Sequence, residues 1–504
     1  MTKLSIVVGF VFALVATSWA VPLDRNEISK LKLAYKPLAN QGGEDPDPVI
    51  QARRNFVKQM MKDAWDDYVR WAWGDNELKP VSQTGQTGGI FGPSKIGATI
   101  VDSLDTLYIM ELMQEYEMAR GYVANELDFE VNATVSVFET NIRFVGGFLA
   151  AYAITQDTIY RDRAVEITNK LLPAFNSTTG IPFGSVNVLT GETGTNANAV
   201  LAEFGTLHLE FMYLSEITGN PIYAEKVQAI RKFLKEIEKP NGLYPNHLDV
   251  NQGRWTDDHV SIGALGDSYY EYLLKAAIQL NDQEARTMYD EAMDAFVNND
   301  LVRVSRQNHL LYIAESRAGF ADPVVGHLAC FAGGMFALGA HVDPNNANAD
   351  RDAEIGRNFT NTCHESYIRT NTHIGPEIFR FTDNLEAEAG SDGERGYILR
   401  PEVIESYFVM YRITGDSKYR DWAWDAAQAI ERYSKAGPGR GYSGLRNTNS
   451  LSPVQDDVQQ TFFLAETLKY LYLIFSTNDL ISLDEWVMNT ECHPLPVKAT
   501  NPMY

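Results

Sequence analysis

The segment EVIESYFVMYRITGDSKYR, residues 402–420, contains the pattern that decides the fold. From Glu402 to Arg412, apolar and aromatic residues cover most of the helical circumference, which is typical of a helix buried on all sides. Thr-Gly-Asp, residues 414–416, then predicts the end of this helix, with the Asp side chain capping the next one. Residues 419–433 carry their charges on one face only. The segment is therefore predicted to form a hairpin of one inner helix and one outer, solvated helix.

The junction of this hairpin recurs along the chain. The pattern Ile-Thr-x-(Asp/Asn)-x-x-Tyr begins at Ile154, Ile217 and Ile413, and degenerate copies are expected near residues 280–282 and 343–345. The first interval is 63 residues, and the second, 196 residues, is close to three such periods. A period of this length indicates a repeated supersecondary unit. The chain has room for seven hairpins, which would close into an all-α (αα)7 barrel, an α/α toroid; an open solenoid is the alternative, but no polar capping repeat favours it.

Polar residues open the predicted inner helices at equivalent positions. They are Glu139, Glu203, Asp267, His327, Glu402 and Glu466, at intervals of 64, 64, 60, 75 and 64 residues. In a closed ring these groups converge at one end of the central cavity. Convergent carboxyl groups suit glycoside hydrolysis, in which one acid protonates the leaving oxygen and one carboxylate activates water.

Helix capping is the alternative interpretation of any one of these acids, because the helix macrodipole favours a negative charge there. Burying five acids costs far more than capping returns, unless a cation or ligand is present. Arg143 and Arg400 lie beside them in the sequence and can form charge-assisted hydrogen bonds with them, or ordinary structural ion pairs.

The composition excludes several function classes. The 504 residues include 66 Asp and Glu against 43 Lys and Arg, which gives a net charge of −23. Such a surface argues against binding to nucleic acid or to an anionic membrane. Because His and Cys are few among many carboxylates, we expect a neutral, polyhydroxylated substrate rather than a transition metal. We expect a monomer without a nucleic-acid or membrane partner.

The N-terminus predicts a cleavable signal peptide over residues 1–20. Lys3 precedes an apolar run over residues 4–16, and small residues stand at Ser18 and Ala20. A retained signal anchor is the alternative. The prediction leaves an N-terminal segment, residues 21–44, and a single catalytic domain, residues 45–504, in a protein that is secreted or held in the lumen of secretory vesicles.

Other features agree with a secretory route. Candidate N-glycosylation sites occur at Asn132, Asn176 and Asn358. Three cysteines in an oxidising compartment allow one disulfide, and we choose the pair Cys330–Cys363. Cys492 is then a free and buried thiol.

Eight ordered stretches of the chain resemble class I α-1,2-mannosidases, glycoside hydrolase family 47, from about residue 45 onward. They are residues 98–110, 138–143, 202–207, 266–274, 327–331, 399–406, 462–467 and 489–494. With its cleavable leader, the chain is most similar to the secreted fungal members. The resemblance implies an (αα)7 barrel plugged by a C-terminal β-hairpin, an inverting mechanism and bound Ca²⁺. Trp486-Val-Met488, followed by Pro494 and Pro496, independently indicates a strand and a turn rather than a helix.

The resemblance also implies roles for individual residues. Glu139 matches a general acid that acts through a water molecule, Asp267 an alternative acid, and Glu402 the general base. The residues that match the lining of the sugar subsite are Arg143, Glu203, Arg400, Glu405, Phe462, Glu466 and Glu491, with Phe462 packed against the mannose ring. Thr490 matches the direct protein ligand of Ca²⁺, through its carbonyl and hydroxyl oxygens. Cys492 is a departure, because many relatives carry Ala there.

Leu265 stands where members restricted to one glycan branch carry Arg. A leucine side chain offers no hydrogen bonds to a particular branch, so we expect broad trimming of the α-1,2-linked mannoses of a high-mannose glycan. A purely structural packing role for Leu265 is the alternative. Two other functions compete with this enzyme: a mannose-binding protein without turnover, which the presence of all three catalytic carboxylates disfavours, and an α/α-toroid enzyme that acts on a different glycan.

Overall fold

Helices alternate between an outer and an inner ring in the computed structural model, which describes residues 42–504. Across these residues the seven outer helices are α1 (Pro48–Ala72), α3 (Met113–Asn125), α5 (Thr158–Leu171), α7 (Ile222–Glu236), α9 (Gln283–Asn298), α11 (Ala349–Ile368) and α13 (Lys418–Tyr433). The seven inner helices are α2 (Ala98–Ile109), α4 (Val137–Thr140, a π-helical turn Asn141–Val145, and Gly146–Thr155), α6 (Leu201–Gly205 and His208–Thr218), α8 (Asp267–Leu280), α10 (Phe331–Val342, after a 3₁₀ turn His327–Cys330), α12 (Glu402–Thr414) and α14 (a π-helical turn Phe463–Thr467, and Leu468–Ile474). The predicted signal peptide and most of the segment 21–44 lie outside the described residues.

The two rings differ in burial as the sequence pattern predicts. Every residue of α10 from Phe331 to Ala340 is buried, whereas α13 buries one face around Tyr419, Ala423 and Ala427. The last inner helix, α14, packs against both α1 and α2, so the ring closes. The predicted (αα)7 barrel is thereby confirmed, and the open solenoid is wrong.

The turns from inner to outer helices follow the predicted local chemistry. Gly415 ends α12 with a left-handed φ of 68°, and Asp416 Oδ1 accepts a hydrogen bond from the Lys418 backbone nitrogen at 3.0 Å. The degenerate copy near residue 281 is equivalent, since Asn281 has a φ of 55° and Asp282 caps α9. These local signals explain why the period could be read from the sequence.

Short antiparallel strands lie in six of the seven connections that lead from an outer helix to the next inner helix, and residues 434–462, between α13 and α14, form only isolated bridges. They are β1 (Glu77–Lys79), β2 (Thr84–Gln86), β3 (Thr134–Ser136), β4 (Ser185–Asn187), β5 (Asn198–Val200), β6 (His247–Asp249), β7 (Arg254–Trp255), β8 (Val302–Val304), β9 (Leu311–Ile313), β10 (Glu315–Arg317), β11 (Phe320–Asp322), β12 (Val324–Gly326), β13 (Ile378–Phe381) and β14 (Glu386–Glu388). The pairings are β1–β2, β3–β4, β5–β6–β7, β8–β9, β10–β11 and β12–β13–β14. The long connections thus gather at the end of the barrel where the inner helices begin.

A final hairpin occupies the interior of the barrel. Its strands, β15 (Trp486–Met488) and β16 (Pro494–Pro496), are antiparallel and buried at every position. They pack against the inner helices α4, α6 and α8. In the tip between the strands, Asn489 Oδ1 accepts hydrogen bonds from the backbone nitrogens of Glu491 and His493. The expected strand, turn and plugging hairpin are confirmed.

The three cysteines are arranged as predicted. Cys330 and Cys363 form a disulfide that joins the turn before α10 to α11. Cys492 is a buried free thiol in the hairpin tip.

The three candidate glycosylation sites differ in exposure. Asn132 and Asn176 are exposed, whereas Asn358 is half-buried within α11. Thr360, the third residue of the Asn358 sequon, is buried, and its hydroxyl group donates a hydrogen bond to the Gly356 carbonyl oxygen at 2.8 Å. Glycosylation at these sites stays a prediction. No helix within residues 42–504 combines the length and the apolar character that crossing a membrane requires.

Candidate active site

A cavity of about 390 Å³ lies at the end of the barrel where the inner helices begin. The acids that open those helices, Glu139, Glu203, Asp267, Glu402 and Glu466, all line this cavity. The convergence expected from their spacing is therefore present in the structure. His327, the sixth member of the series, lies behind the wall and reaches the cavity through Glu402.

Glu402 is the first residue of α12 and is held between two cationic or donor groups. His327 Nδ1 lies 2.8 Å from Glu402 Oε2, and Arg400 Nη1 lies 4.0 Å from Oε1. Burial by itself would raise the pKa of Glu402, but the hydrogen bond with His327 and the charges of His327 and Arg400 hold this pKa below its ordinary value. The Glu402 side chain is therefore a carboxylate near neutral pH, which suits a general base.

Asp267 is the first residue of α8 and has the opposite electrostatic character. Burial, followed by the negative charges of Glu271 and Glu402, raises the pKa of Asp267 to about 7, although its Oδ1 accepts a hydrogen bond from the Ser268 backbone nitrogen at 2.9 Å. A carboxyl group with this pKa holds a proton at neutral pH for a substantial part of the time. Two carboxyl groups with different protonation states thus share one cavity.

Glu139 belongs to an ion-pair network. Arg143 lies one helical turn further along α4, and its Nε and Nη2 lie 2.9 and 2.7 Å from Glu139 Oε2. The guanidinium group also donates to Thr461 Oγ1 at 2.9 Å and to Glu491 in the hairpin tip. Arg143 therefore joins an acid of the inner ring to the plug.

The floor of the cavity carries more acid than the described cations neutralise. Burial raises the pKa of Glu405 to about 8, with Lys275 opposing and Glu271 adding to the shift. Burial and neighbouring acids raise the pKa of both Glu466 and Glu491 well above the ordinary value, while Arg143 opposes the shift. A bound cation would relieve this accumulation of like charge.

Thr490 projects into this acidic region from the hairpin tip. It lines the cavity beside Glu491, and its backbone nitrogen lies 3.4 Å from Tyr272 Oη, within hydrogen-bond range. Within residues 42–504, no group of three or more His, Cys, Asp or Glu side chains is arranged to hold a metal ion. Thr490 therefore lies where the sequence comparison places it, and its role as a calcium ligand stays a prediction.

The remaining predicted residues also line the cavity. Arg400, Leu265 and Phe462 are part of its wall, and the Phe462 ring centroid lies 5.7 Å from the guanidinium carbon of Arg143. Leu265 has a left-handed φ of 78°, and its carbonyl oxygen accepts a hydrogen bond from the Ala202 backbone nitrogen at 2.9 Å. Leu265 lines both this cavity and a neighbouring cavity of about 510 Å³.

Several residues that line the cavity or contact its lining escaped sequence reasoning. Glu271 lines the cavity and pairs with Lys275; its position four residues after Asp267 on a helix could have revealed it. Asp102 is fully buried and contacts Arg143 and His493. Glu377 lies 2.7 Å from Arg400 Nε, in a loop where no periodic signal marks it.

Comparison with known proteins gives consistent matches across the chain. The model of the family "Glycosyl hydrolase family 47" matches residues 60–497. The mannosyl-oligosaccharide alpha-1,2-mannosidase IA of Drosophila melanogaster is 52% identical over 473 residues, which cover 92% of this chain and 70% of that protein. The mannosyl-oligosaccharide 1,2-alpha-mannosidase IB of Homo sapiens is 51% identical over 466 residues, 91% of this chain and 72% of that protein. The solved structure of an alpha-1,2-mannosidase from Trichoderma reesei superposes with a TM-score of 0.81 at 29% identity, covering 89% of this chain and 99% of that one.

Proposed function

We propose that this chain, which belongs to glycosyl hydrolase family 47 and is a mannosyl-oligosaccharide α-1,2-mannosidase, removes terminal mannose from high-mannose N-glycans with inversion of configuration. The observation that carries the proposal is the pair of carboxyl groups in one cavity, Glu402 with a lowered pKa and Asp267 with a pKa of about 7. A base and an acid are what an inverting hydrolase requires on opposite sides of the scissile bond.

The reaction is a single displacement. Glu402 accepts a proton from the attacking water, whose oxygen forms a bond to the anomeric carbon as the glycosidic C–O bond breaks. Asp267 gives its proton to the leaving oxygen. Because water attacks the face opposite the leaving group, the product is β-mannose.

Asp267 fits the role of proton donor better than Glu139 does. Glu139 is engaged in two contacts with Arg143, whereas burial and neighbouring acids raise the pKa of Asp267 to about 7 and so favour a proton there. The alternative is that Glu139 donates the proton through a water molecule. The pH dependence of the residual activity of the Asp267 and Glu139 variants distinguishes these two assignments.

The other cavity residues would hold the terminal mannose. Phe462 offers an aromatic face to the apolar side of the sugar ring, and Arg143, Arg400, Glu203, Glu405, Glu466 and Glu491 offer charged groups to its hydroxyls. Leu265 offers only an apolar side chain at the rim, which supports broad trimming of α-1,2-linked mannoses rather than selection of one branch.

The cavity floor fits a calcium ion. Calcium prefers many oxygen ligands and accepts water among them, and Thr490 supplies two oxygens beside the acids whose pKa values are raised. Bound calcium would supply positive charge that offsets these acids and orients sugar hydroxyls. Glu491 and Glu466 would shape the water shell around it.

The predicted leader, the sequons and the disulfide support secretion or residence in the lumen of the secretory pathway. A monomer remains our expectation for the quaternary state.

The test is mannose release from an α-1,2-linked mannobiose, with the α-1,3- and α-1,6-linked isomers as controls. We expect release from the first alone, with β-mannose visible by proton NMR at early times. Initial formation of α-mannose would contradict inversion, and binding without release would favour the mannose-binding alternative. Release from the other linkages would favour a toroid enzyme of different specificity.

A further inference from the structure

A buried imidazole links the proposed general base to a tyrosine outside the cavity. His327 Nδ1 lies 2.8 Å from Glu402 Oε2, and His327 Nε2 lies 2.7 Å from the hydroxyl oxygen of Tyr367. His327 is 1% exposed and Tyr367 is 2% exposed. Tyr367 belongs to the outer helix α11 and does not line the catalytic cavity.

The protonation states of Glu402 and His327 determine which hydrogen bond the Tyr367 hydroxyl makes. An ionised carboxylate only accepts hydrogen bonds, so the Nδ1 that faces Glu402 must carry a hydrogen. If His327 is neutral, its Nε2 accepts from the tyrosine hydroxyl; if His327 is charged, its Nε2–H donates to the same oxygen. In both states Tyr367 is the partner that holds the ring with Nδ1–H directed at Glu402.

We propose that Tyr367 is a positioning residue for the reaction, which orients the His327 imidazole and through it the base Glu402. The inference rests on the proposed role of Glu402. Two contacts hold the main chain around this pair. The His327 backbone nitrogen donates to the Glu377 carbonyl oxygen at 2.8 Å. The Cys330–Cys363 disulfide joins the turn that carries His327 to the helix that carries Tyr367, three residues after His327 and four before Tyr367. The main chain is thereby fixed, which leaves the side-chain hydrogen bonds to set the ring orientation.

Removal of the hydroxyl changes the balance of groups around Glu402. Besides His327, the charged groups that face Glu402 are Arg400, 4.0 Å away, and the acids Asp267, Glu405 and Glu466. The centroid of the Tyr397 ring lies 6.0 Å from that of the His327 imidazole. Without Tyr367 to hold its Nε2, the imidazole can change tautomer or turn. The carboxylate then keeps its acidic neighbours and loses its donor, so the pKa of Glu402 rises.

The test is Tyr367→Phe in the full chain. We expect kcat to fall about tenfold, in line with the loss of one hydrogen bond to an ionisable pair, with KM changed less than about twofold. We also expect the rising, acidic limb of the kcat profile to move to higher pH, because the pKa of the base increases.

Tyr407→Phe is the matched control. Tyr407 donates to or accepts from His364 Nδ1 at 2.9 Å, is fully buried between α11 and α12, and lines no part of the cavity. This variant should lower Tm about as much as Tyr367→Phe while kcat and the pH profile stay at wild-type values. Equal losses of kcat in the two variants would show that Tyr367 has a structural role only, and would overturn the proposal. A wild-type kcat and pH profile in Tyr367→Phe would overturn it as well.

A double-mutant cycle separates this inference from the function it rests on. In a His327→Gln background, Tyr367→Phe should cost little further activity, because the two residues act as one unit; additive losses would refute the link. If Glu402→Gln keeps near-wild-type activity, the base assignment itself fails. If Glu402→Gln is inactive and Tyr367→Phe is unaffected, only the role of Tyr367 fails.

Discussion

The pH dependence of kcat/KM should identify the proton donor. Asp267 acts in its protonated form, so activity is present below its pKa and is lost as pH rises through about 7. Glu402 acts as a carboxylate with a lowered pKa, so activity is lost only as pH falls through that lower value. The profile is therefore expected to be a bell whose falling limb lies near neutral pH.

The size of the effect follows from the protonated fraction of Asp267. With a pKa of about 7, roughly half of the groups carry a proton at pH 7 and about one in ten at pH 8, so kcat/KM should fall about fivefold over that interval and about tenfold per pH unit beyond it. Initial rates on an α-1,2-linked mannobiose between pH 4 and 9, in buffers of constant ionic strength, measure this directly.

Two variants assign the limb to a residue. Asp267→Asn and Glu139→Gln should each retain residual activity, since general acid–base assistance is worth about 10²–10⁴-fold. The falling limb should vanish in Asp267→Asn and persist in Glu139→Gln. A limb that persists in Asp267→Asn and disappears in Glu139→Gln would refute our assignment, as would constant wild-type activity up to pH 9.

Three further predictions concern the base, the metal and the specificity. Glu402→Gln should lower kcat by about 10²–10⁴-fold with an unchanged melting temperature; near-wild-type turnover would exclude it as the base. Removal of calcium with a chelator should lower activity and Tm together, because the ion binds only the folded state, and Thr490→Ala should weaken calcium binding measured by calorimetry; full activity of metal-free protein would contradict this. Leu265→Arg should make one glycan isomer accumulate in time-resolved profiling, whereas the wild-type enzyme trims several branches, and an identical profile for both would leave Leu265 a packing residue.

The parts of the fold that were predictable from sequence are those set by local chemistry. Gly415 and Asp416 end one helix and cap the next through contacts within a few residues, so a repeated motif was enough to locate the junctions. The helix-head acids could be found because a repeated unit places equivalent residues at equivalent ends. Their convergence then required only that the ring close.

The residues that escaped prediction depend on contacts between distant segments. Glu377 reaches Arg400 from a loop 23 residues earlier, and Asp102 meets His493 across 391 residues. The left-handed turn at Leu265 is likewise held by a backbone hydrogen bond from another helix unit, at Ala202. No local pattern encodes such pairings, and Thr490 could be placed only through a family resemblance.

The hairpin of β15 and β16 has a consequence for the order in which the molecule is assembled. It follows all fourteen helices of the described chain, yet it supplies Thr490 and Glu491 to the centre of the site. During synthesis all the barrel helices are therefore made before the segment that lines the cavity floor. A nascent chain interrupted after α14 would contain every barrel helix but would lack Thr490 and Glu491, so we expect activity to appear only once the last residues of the hairpin have been added.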